Sequence, residues 1–419
     1  MTLKAVILIG GPLKGTRFRP LSLDVAKPLF PVAGLPMIQH HIEACVTVPD
    51  LKEIIILGYY PASELSAFIS EMAQKYNKSI RYLQEFTSLG TAGGMYHFRD
   101  QIRYGNPDGF FVLNGDVCAD FPLVEILKFH NSKGNALITI MATETNKQQA
   151  LNYGCIAKHP NLDYMTHYVE KPSTFVSHFI NCGVYFCSIE LFDTLALAFK
   201  EKNKNINYDG SGDFHKDSGA MQLEQDVLTP LAGSGRAYVF TTTKWWSQLK
   251  TAGAAIYANR HYLQLYRHTH PERLCTNNKN IIGDVYIHPT AILDPTACIG
   301  PNVSIGAGAV IGPGVRVKDA LVLDSACIGS HTLVTHSIVG RQVKIGSWAR
   351  VEGTPCDPNP NKPFAKMDNL PLFNKDGRLN PSITILGCSV KVPSEIILLN
   401  SIVLPYKELT RSFKHEIIL

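Results

Sequence analysis

This sequence lacks the features that mark several common protein classes. The chain of 419 residues has no uninterrupted apolar run near the ~18 residues that a membrane-spanning helix needs. Its net charge of +5 is small for its length, which argues against a general nucleic-acid binder. No Cys-x-x-Cys pair occurs among the ten cysteines, so neither a zinc site nor a disulfide framework is expected. The apolar run near the N-terminus is too short for a signal peptide. We expect a cytoplasmic protein with no membrane or nucleic-acid partner.

The first part of the chain alternates strand-like and helix-like segments. Predicted strands at 5–9, 53–58 and 109–113 are separated by helical patterns such as 62–76. This alternation predicts βαβ units with a parallel sheet, in which ligands bind at the carboxyl ends of the strands. We assign residues 1–262 to this α/β domain and residues 263–280 to a linker.

From residue 281 onward the period of the apolar residues changes to six. The repeat positions are Ile287, Leu293, Ile299, Ile305, Ile311, Val317 and Leu323. After a slip, the repeat continues, with one five-residue step, at Ile328, Val334, Val339, Ile345 and Val351. A period of six is typical of a parallel β-helix of hexapeptide repeats, whose turns each contain three short strands. We assign 281–419 to this domain. The proline-rich stretch 354–379 interrupts the repeat, and we interpret it as an inserted loop that contacts a partner.

A glycine-rich, basic loop follows the first strand. The stretch 10–20 reads GGPLKGTRFRP, in which Gly11 allows close approach of an anion and Arg17 supplies a forked donor for phosphate. Alone, such a loop is as often a simple turn as a phosphate site.

Further motifs make the interpretation more specific. They are Ala26-Lys27-Pro28, LGTAGG at 89–94, LNGDV at 113–117, Tyr153-Gly154, Val169-Glu170-Lys171-Pro172, Asn181-Cys182-Gly183 and EQDV at 224–227. With the glycine loop and the hexapeptide repeats, they resemble the nucleoside-diphosphate-sugar pyrophosphorylases over nearly the whole chain. Within that family the chain is most similar to the GDP-mannose pyrophosphorylases, and among these to their alpha, regulatory type.

The resemblance implies a fold and a reaction. The fold is a Rossmann-like nucleotidyltransferase domain followed by a left-handed β-helix. The reaction is attack of a sugar 1-phosphate on the α-phosphorus of a nucleoside triphosphate, with release of pyrophosphate, and it depends on positioning and charge neutralisation.

The resemblance also implies roles for individual residues. Arg17 and Lys27 hold phosphates, and Gly11 belongs to the loop around the nucleotide. The base lies against Gly90 and Thr91, with Glu85 close by. The sugar and its phosphate are surrounded by Gly154, Lys171, Asn181 and Glu224, while Asn114 and Asp116 end a strand at the same edge. Asp116 corresponds to one of two aspartates that bind Mg²⁺. Taken singly, each of these residues has an ordinary structural explanation, such as a turn aspartate or a loop lysine.

Two departures from the family pattern argue against catalysis. Active relatives have a loop of the form GGxGTR, whereas the loop here is two residues longer and includes Pro12, which removes a backbone donor. The second metal aspartate of the family lies in a Trp-x-Asp pattern, and Gln248 occupies that position here, with Lys250 nearby. Loss of one such group typically slows a reaction by about 10²–10³-fold. We therefore expect a pocket that binds a sugar nucleotide with little or no turnover.

Three functions remain open from the sequence. The first is a regulatory subunit that binds GDP-mannose and needs no cofactor to do so. Such a subunit controls a catalytic (beta) guanylyltransferase subunit in a hetero-oligomer, and it also self-associates. The second is an active mannose-1-phosphate guanylyltransferase that uses Arg17, Asp116 and Lys171 with Mg²⁺. The third is an acyltransferase of the β-helix, with His331 or His336 as base.

Overall fold

The computed structural model describes residues 1–11, 16–204, 220–276, 279–355, 371, 373–375, 377, 379–380 and 382–419. These residues form two compact units. Among them, the first unit contains residues 1–11 and 38–246, and the second contains 16–37 and the part of the chain from 247 onward. The two added positions of the glycine loop, Pro12 included, lie outside the described residues, as does most of the predicted insertion 354–379.

The helices alternate with strands, as the sequence predicts. They are α1 (Met37–Val46), α2 (Ala62–Tyr76), α3 (Gly90–His97), α4 (Arg99–Arg103), α5 (Leu123–Ser132), α6 (Lys147–Ala150), α7 (Leu191–Lys204), α8 (Thr229–Leu231) and α9 (Ala252–Thr269). The first strands are β1 (Leu3–Gly10), β2 (Pro31–Val32), β3 (Leu35–Pro36), β4 (Leu51–Gly58), β5 (Ser79–Gln84), β6 (Gly109–Asn114), β7 (Val117–Ala119), β8 (Ile138–Glu144), β9 (Gly154–Lys158), β10 (Met165–Glu170), β11 (Phe179–Ser188), β12 (Ala237–Thr241) and β13 (Trp246–Gln248).

A mixed sheet forms the centre of the first unit. Its main path runs β10-β9-β11-β6-β1-β4-β5, and β8 joins β11 to β12. The strands β6, β1, β4 and β5 are mutually parallel, which confirms the predicted βαβ core. Beyond β6 the sheet continues antiparallel through β11. The core of this unit is built from fully buried side chains such as Val6, Phe110 and Tyr185.

Two predicted helices differ in detail from the structure. The pattern at 92–102 predicts one helix, but the chain forms α3 and α4 with a break at Phe98, whose φ and ψ are −94° and 19°. The pattern at 223–231 also predicts one helix, but the chain starts there as a π-helical turn, Leu223–Leu228, and becomes α8 only at Thr229. A π-helical turn is often found at a functional site.

The second unit is dominated by three ladders of short parallel strands. One contains β14 (Val285–Ile287), β17 (Val303–Ile305), β20 (Ala320–Val322), β23 (Ser337–Val339), β26 (Thr384–Leu386), β29 (Ile402–Val403) and β31 (Ile417–Ile418). The next contains β15 (Ile292–Leu293), β18 (Val310–Ile311), β21 (Cys327–Ile328), β24 (Lys344–Ile345) and β27 (Lys391–Val392). The last contains β16 (Cys298–Ile299), β19 (Arg316–Lys318), β22 (Leu333–Thr335), β25 (Arg350–Glu352), β28 (Ile397–Leu399) and β30 (Phe413–Lys414). These ladders are consistent with the predicted left-handed β-helix of hexapeptide repeats.

The register of the β-helix corrects one repeat position. Ile305 pairs with Val322, so Val322 and not Leu323 occupies the ladder position after Val317. The ladder therefore has two five-residue steps, one between Val317 and Val322 and one between Val334 and Val339. The ladder resumes after the insertion, where Val339 pairs with Leu386.

The predicted linker 263–280 is partly wrong, because α9 continues to Thr269. Leu263 is fully buried, and Tyr262 and Tyr266 are nearly so, which is why the helix does not end at residue 262. Thr251 caps its start by accepting from Ala254 N. Within the described part of the chain, none of the helices has the length and apolar character needed to cross a membrane.

Candidate functional site

The carboxyl ends of β1 and β6 lie side by side in the first unit. Leu8 pairs with Asn114, and Gly115 N donates to Leu8 O across 2.8 Å. The backbone is crowded here, because Gly183 has a φ of +70° and a Cβ at that position would lie 2.6 Å from Asn114 Nδ2. Gly11 is equally confined, since its Cβ would lie 2.8 Å from Cβ of Tyr59. The sequence predicted this edge as the ligand-binding edge, and the strand ends confirm that Asn114 and Gly11 follow adjacent strands.

The motifs at 89–94 and 224–227 come together through backbone and side-chain hydrogen bonds. Ala92 N and Gly93 N both donate to Met221 O, at 2.9 and 3.0 Å. Thr91 Oγ1 donates to Glu224 Oε2 at 3.0 Å and accepts from Leu223 N at 2.8 Å. The start of α3 is therefore joined to the π-helical turn, which sets the position of the Glu224 carboxylate.

The motifs at 168–171 and 181–183 form a second network. Asn181 Nδ2 donates to Tyr185 Oη at 2.8 Å and to Tyr168 Oη at 3.2 Å. Tyr168 Oη donates in turn to Glu170 Oε2 at 2.9 Å. Asn181 Oδ1 accepts from Gly183 N at 2.9 Å, so the orientation of the amide is set by its partners.

Glycines provide room for these networks. A Cβ at Gly154 would overlap the hydroxyl of Tyr168 and lie 2.7 Å from Glu170 Oε2. A Cβ at Gly90, where φ is +79°, would lie 2.5 Å from Met221 O. A Cβ at Gly94 would overlap the carboxylate of Glu85, which is itself nearly buried. The predicted residues Glu85, Gly90, Thr91, Gly154, Asn181 and Glu224 thus have closely fitted surroundings.

The two networks carry negative charge. Burial raises the pKa of Glu224 above its ordinary value of 4.5, and the charges of Glu170 and Asp116 raise it further, although the hydrogen bond from Thr91 acts in the opposite direction. Burial also raises the pKa of Tyr168 above its ordinary value, followed by the charge of Glu170. Glu170 and Asp116 are therefore both close enough to Glu224 to influence it electrostatically.

Lys171 is the predicted cation of this unit. Its Nζ lies 3.7 Å from Glu170 Oε1, and 64 % of its side chain is exposed. Its backbone is unusual, with a φ of +45°, and Lys171 N donates to Tyr153 O at 3.1 Å. The main chain of Lys171 is thus fixed at Tyr153, and its ammonium group lies beside Glu170 while it remains exposed.

The other predicted site residues lie in the second unit. Arg17 is exposed on the short 3-10 helix Thr16–Phe18. Lys27 begins the 3-10 helix Lys27–Leu29, with its Nζ 5.8 Å from the centroid of the Phe18 ring. Gln248 is half-buried at the end of β13.

Potential metal ligands do not cluster in the described part of the chain, where no group of three or more His, Cys, Asp or Glu residues is arranged so that it could hold a metal ion. In the resemblance described above, Asp116 corresponds to one of the two metal aspartates, and the neutral amide of Gln248 stands at the position of the other. An amide oxygen can bind Mg²⁺, but without the negative charge of a carboxylate.

Sequence reasoning missed Tyr168 and Tyr185, which complete the Asn181 network, and Gln222, whose Oε1 lies 3.4 Å from Thr91 Oγ1. Tyr168 and Glu170 are two residues apart on β10, so their side chains project from the same face of the strand. This spacing was a usable signal for Tyr168. Tyr185 had no comparable signal, because its fully buried side chain follows the pattern of a core residue.

The two histidines considered as acyltransfer bases lie at corners of the β-helix. The His331 ring stacks on Trp348 with centroids 4.4 Å apart, and His336 Nε2 lies 3.9 Å from Asp319 Oδ2. Their φ angles of +57° and +47° place both in the left-handed region. Both have local structural roles that do not require catalysis.

Comparisons with known proteins match both parts of the chain. A family model described as nucleotidyl transferase matches residues 4–226, and one described as the GMPPB C-terminal domain matches 281–418. The chain is 60% identical to the mannose-1-phosphate guanylyltransferase regulatory subunit alpha of Drosophila melanogaster, over 100% of both chains. It is 57% identical to regulatory subunit alpha-A of Danio rerio and 56% identical to regulatory subunit alpha of Homo sapiens, again over 100% of each chain.

Proposed function

The chain belongs to the family of mannose-1-phosphate guanylyltransferase regulatory alpha subunits, and on that premise we propose that it binds GDP-mannose and controls a catalytic subunit without turnover of its own. We propose further that it acts in the cytoplasm, in a hetero-oligomer with the catalytic (beta) guanylyltransferase subunit, and that it also self-associates. Binding needs no metal ion in this account.

One observation supports the binding proposal above the others. The Asn181–Tyr168–Glu170 network and the Thr91–Glu224 pair present carboxylates and an amide whose orientations are set by hydrogen bonds. Sugar hydroxyls donate and accept, so they match such groups. Groups of this kind also reject a ligand that leaves them unpaired. Lys171, and the predicted phosphate contacts Arg17 and Lys27, supply positive charge for the diphosphate.

The proposed lack of turnover rests on the side chain of Gln248 and on the longer glycine loop. A neutral Gln248 can hydrogen-bond a sugar or ribose hydroxyl, but it adds no negative charge for a metal ion. The longer glycine loop changes the backbone donors available to a triphosphate. The pocket therefore binds the product, GDP-mannose, but supports little reaction of the substrate GTP. A pocket with these properties suits a sensor of product concentration.

Calorimetry and activity assays together test the proposal. GDP-mannose should bind the purified chain saturably, while the chain alone forms no GDP-mannose from GTP and mannose 1-phosphate with Mg²⁺. Addition of the chain to the catalytic homologue should make the activity of that enzyme sensitive to GDP-mannose. A deletion of 354–379 tests whether the insertion carries this effect, because an undiminished response would exclude it.

An active guanylyltransferase is the second candidate, supported by the retained Arg17, Asp116 and Lys171. In that case the wild-type chain turns over at a substantial rate and the Gln248→Asp variant keeps the same rate. In the regulatory account the wild-type chain has no measurable rate.

A further inference from the structure

A fully buried asparagine on α9 joins three segments of the second unit. Asn259 Oδ1 accepts from Ala33 N at 2.8 Å and from Ser304 Oγ at 2.6 Å. Asn259 Nδ2 donates to Asn302 O at 3.3 Å. All polar atoms of the side chain therefore have partners, which a buried amide requires. Two of the partners belong to the β-helix, and Ala33 belongs to the segment that follows the glycine loop.

The partner of Asn259 in that segment is the apex of a tight hairpin. Strands β2 and β3 pair through Pro31 with Pro36 and Val32 with Leu35, so the turn residues are Ala33 and Gly34. Their φ angles are +51° and +82°, as a type I′ turn requires. A Cβ at Gly34 would overlap the ring of Tyr286 on β14, so the apex lies directly against the β-helix. The side chain of Asn259 thus bonds the backbone at the one point where the hairpin reverses.

A second attachment lies upstream of the hairpin. The Arg341 guanidinium, at a corner of the β-helix, lies between two carboxylates, with Nη1 4.0 Å from Asp24 Oδ2 and Nη2 3.6 Å from Asp324 Oδ2. Asp24 is located between the 3-10 helices that carry Arg17 and Lys27. The segment 16–37, called the basic segment below, is therefore attached to the β-helix at two places.

Inside the basic segment, packing fixes the cations relative to the hairpin. The rings of Phe18 and Phe30 are buried and meet edge to face, with centroids 5.0 Å apart. Phe18 follows Arg17 directly, Lys27 lies over its ring, and Phe30 leads into β2. A shift of the hairpin apex would therefore displace the side chains predicted to contact phosphate.

From these contacts we propose that Asn259 is a positioning residue for the phosphate contacts, acting through Ala33, with Arg341 as a second, weaker one acting through Asp24. The β-helix thereby sets the position of Arg17 and Lys27, so events on the β-helix can alter ligand affinity. This inference rests on the proposed binding of GDP-mannose.

Variants of the full-length chain test the inference by GDP-mannose calorimetry. Asn259→Leu, which removes all three hydrogen bonds, should weaken binding about tenfold, equivalent to about 1.4 kcal/mol. Ser304→Ala and Arg341→Ala should weaken it about threefold, since each removes one contact of the attachment. Arg341→Lys should recover most of the loss. The matched controls are Gln264→Ala, exposed on α9, and Arg316→Ala, exposed on the β-helix, and both should bind as the wild type does.

Coupling to Arg17 and Lys27 separates positioning from a general loss of stability. In a background that carries both Arg17→Ala and Lys27→Ala, Asn259→Leu and Ser304→Ala should each change affinity less than twofold, because the groups they position are gone. The inference would be overturned if these substitutions lowered the affinity as much in that background as in the wild-type chain. It would also be overturned if Ser304→Ala and Arg341→Ala both left the affinity of the wild-type chain unchanged. If Asn259→Leu does not fold, Ser304→Ala and Arg341→Ala decide the question. A wild-type chain that does not bind GDP-mannose would instead refute the proposed function.

Discussion

The hydroxyl of Thr91 donates to the carboxylate of Glu224 across 3.0 Å, although the two residues are 133 positions apart in the chain. The same hydroxyl accepts from Leu223 N, so it fixes both the carboxylate and the backbone that precedes it. This pair links the start of α3 to the π-helical turn. Changes near it therefore report on the geometry of the candidate site.

Replacement of Glu224 by glutamine should remove a pH dependence of stability. Burial raises the pKa of Glu224 in the folded chain, so the folded state holds this proton more tightly than the unfolded state does. The stabilisation is complete below the unfolded value of 4.5 and is lost as the pH rises through the folded pKa. The wild-type free energy of unfolding should thus fall relative to that of Glu224→Gln as the pH rises from about 4.5.

Denaturant titration between pH 4 and pH 8 measures this difference. Glu71→Gln is the control, because Glu71 is exposed on α2. A difference that is constant with pH, or that grows in favour of the wild type at high pH, would contradict the buried position of Glu224.

Alanine at Gly90 should destabilise the chain more than alanine at Gly105. Both glycines have left-handed backbones, with φ of +79° and +81°, so both substitutions carry a similar backbone cost of about 1–2 kcal/mol. Only at Gly90 does the new Cβ meet a neighbour, Met221 O at 2.5 Å, whereas nothing lies within 4 Å at Gly105. In chemical denaturation, the free energy of unfolding of Gly90→Ala should be lower than that of Gly105→Ala by on the order of 1–2 kcal/mol. Equal losses would mean that α3 does not approach Met221 so closely.

Removal of the Tyr168 hydroxyl should weaken ligand binding with little effect on the fold. Tyr168→Phe breaks the bond from Asn181 Nδ2 and frees the carboxylate of Glu170 to reorient. We expect a three- to tenfold loss of GDP-mannose affinity, equivalent to roughly 0.6–1.4 kcal/mol, by calorimetry.

Tyr238→Phe is the matched variant, since its hydroxyl donates to Asn135 on the exposed side of the unit. This variant should bind GDP-mannose like the wild type. The same affinity in Tyr168→Phe and the wild type would remove the Asn181 network from the binding site.

Local patterns were sufficient to predict most of the architecture. The helix Ala62–Tyr76 has the predicted bounds, because its apolar positions at three- and four-residue spacing all face the core. The six-residue period predicted the three ladders of the β-helix for the same reason, since each repeat aliphatic side chain is turned inward. Periodicity failed where the chain skips a residue, as at Val322 and Leu323, because both are buried.

The candidate site was predictable only in part. Motif residues such as Asn181 and Glu224 were found by resemblance, while Tyr185, whose hydroxyl accepts from Asn181 Nδ2, was indistinguishable from a core residue. Asn259 gave no signal at all, because a single asparagine in a helix usually faces solvent. Its partners Ala33 and Ser304 are far away in sequence, and the hairpin apex that it bonds depends on an alanine in a backbone conformation that alanine rarely adopts.

Calorimetric titration of the purified full-length chain with GDP-mannose, paired with an assay of GDP-mannose formation from GTP and mannose 1-phosphate with Mg²⁺, tests the central claim most directly. The account predicts saturable binding and no product from the chain alone. Robust product formation by the chain alone, or no binding of GDP-mannose, would contradict it.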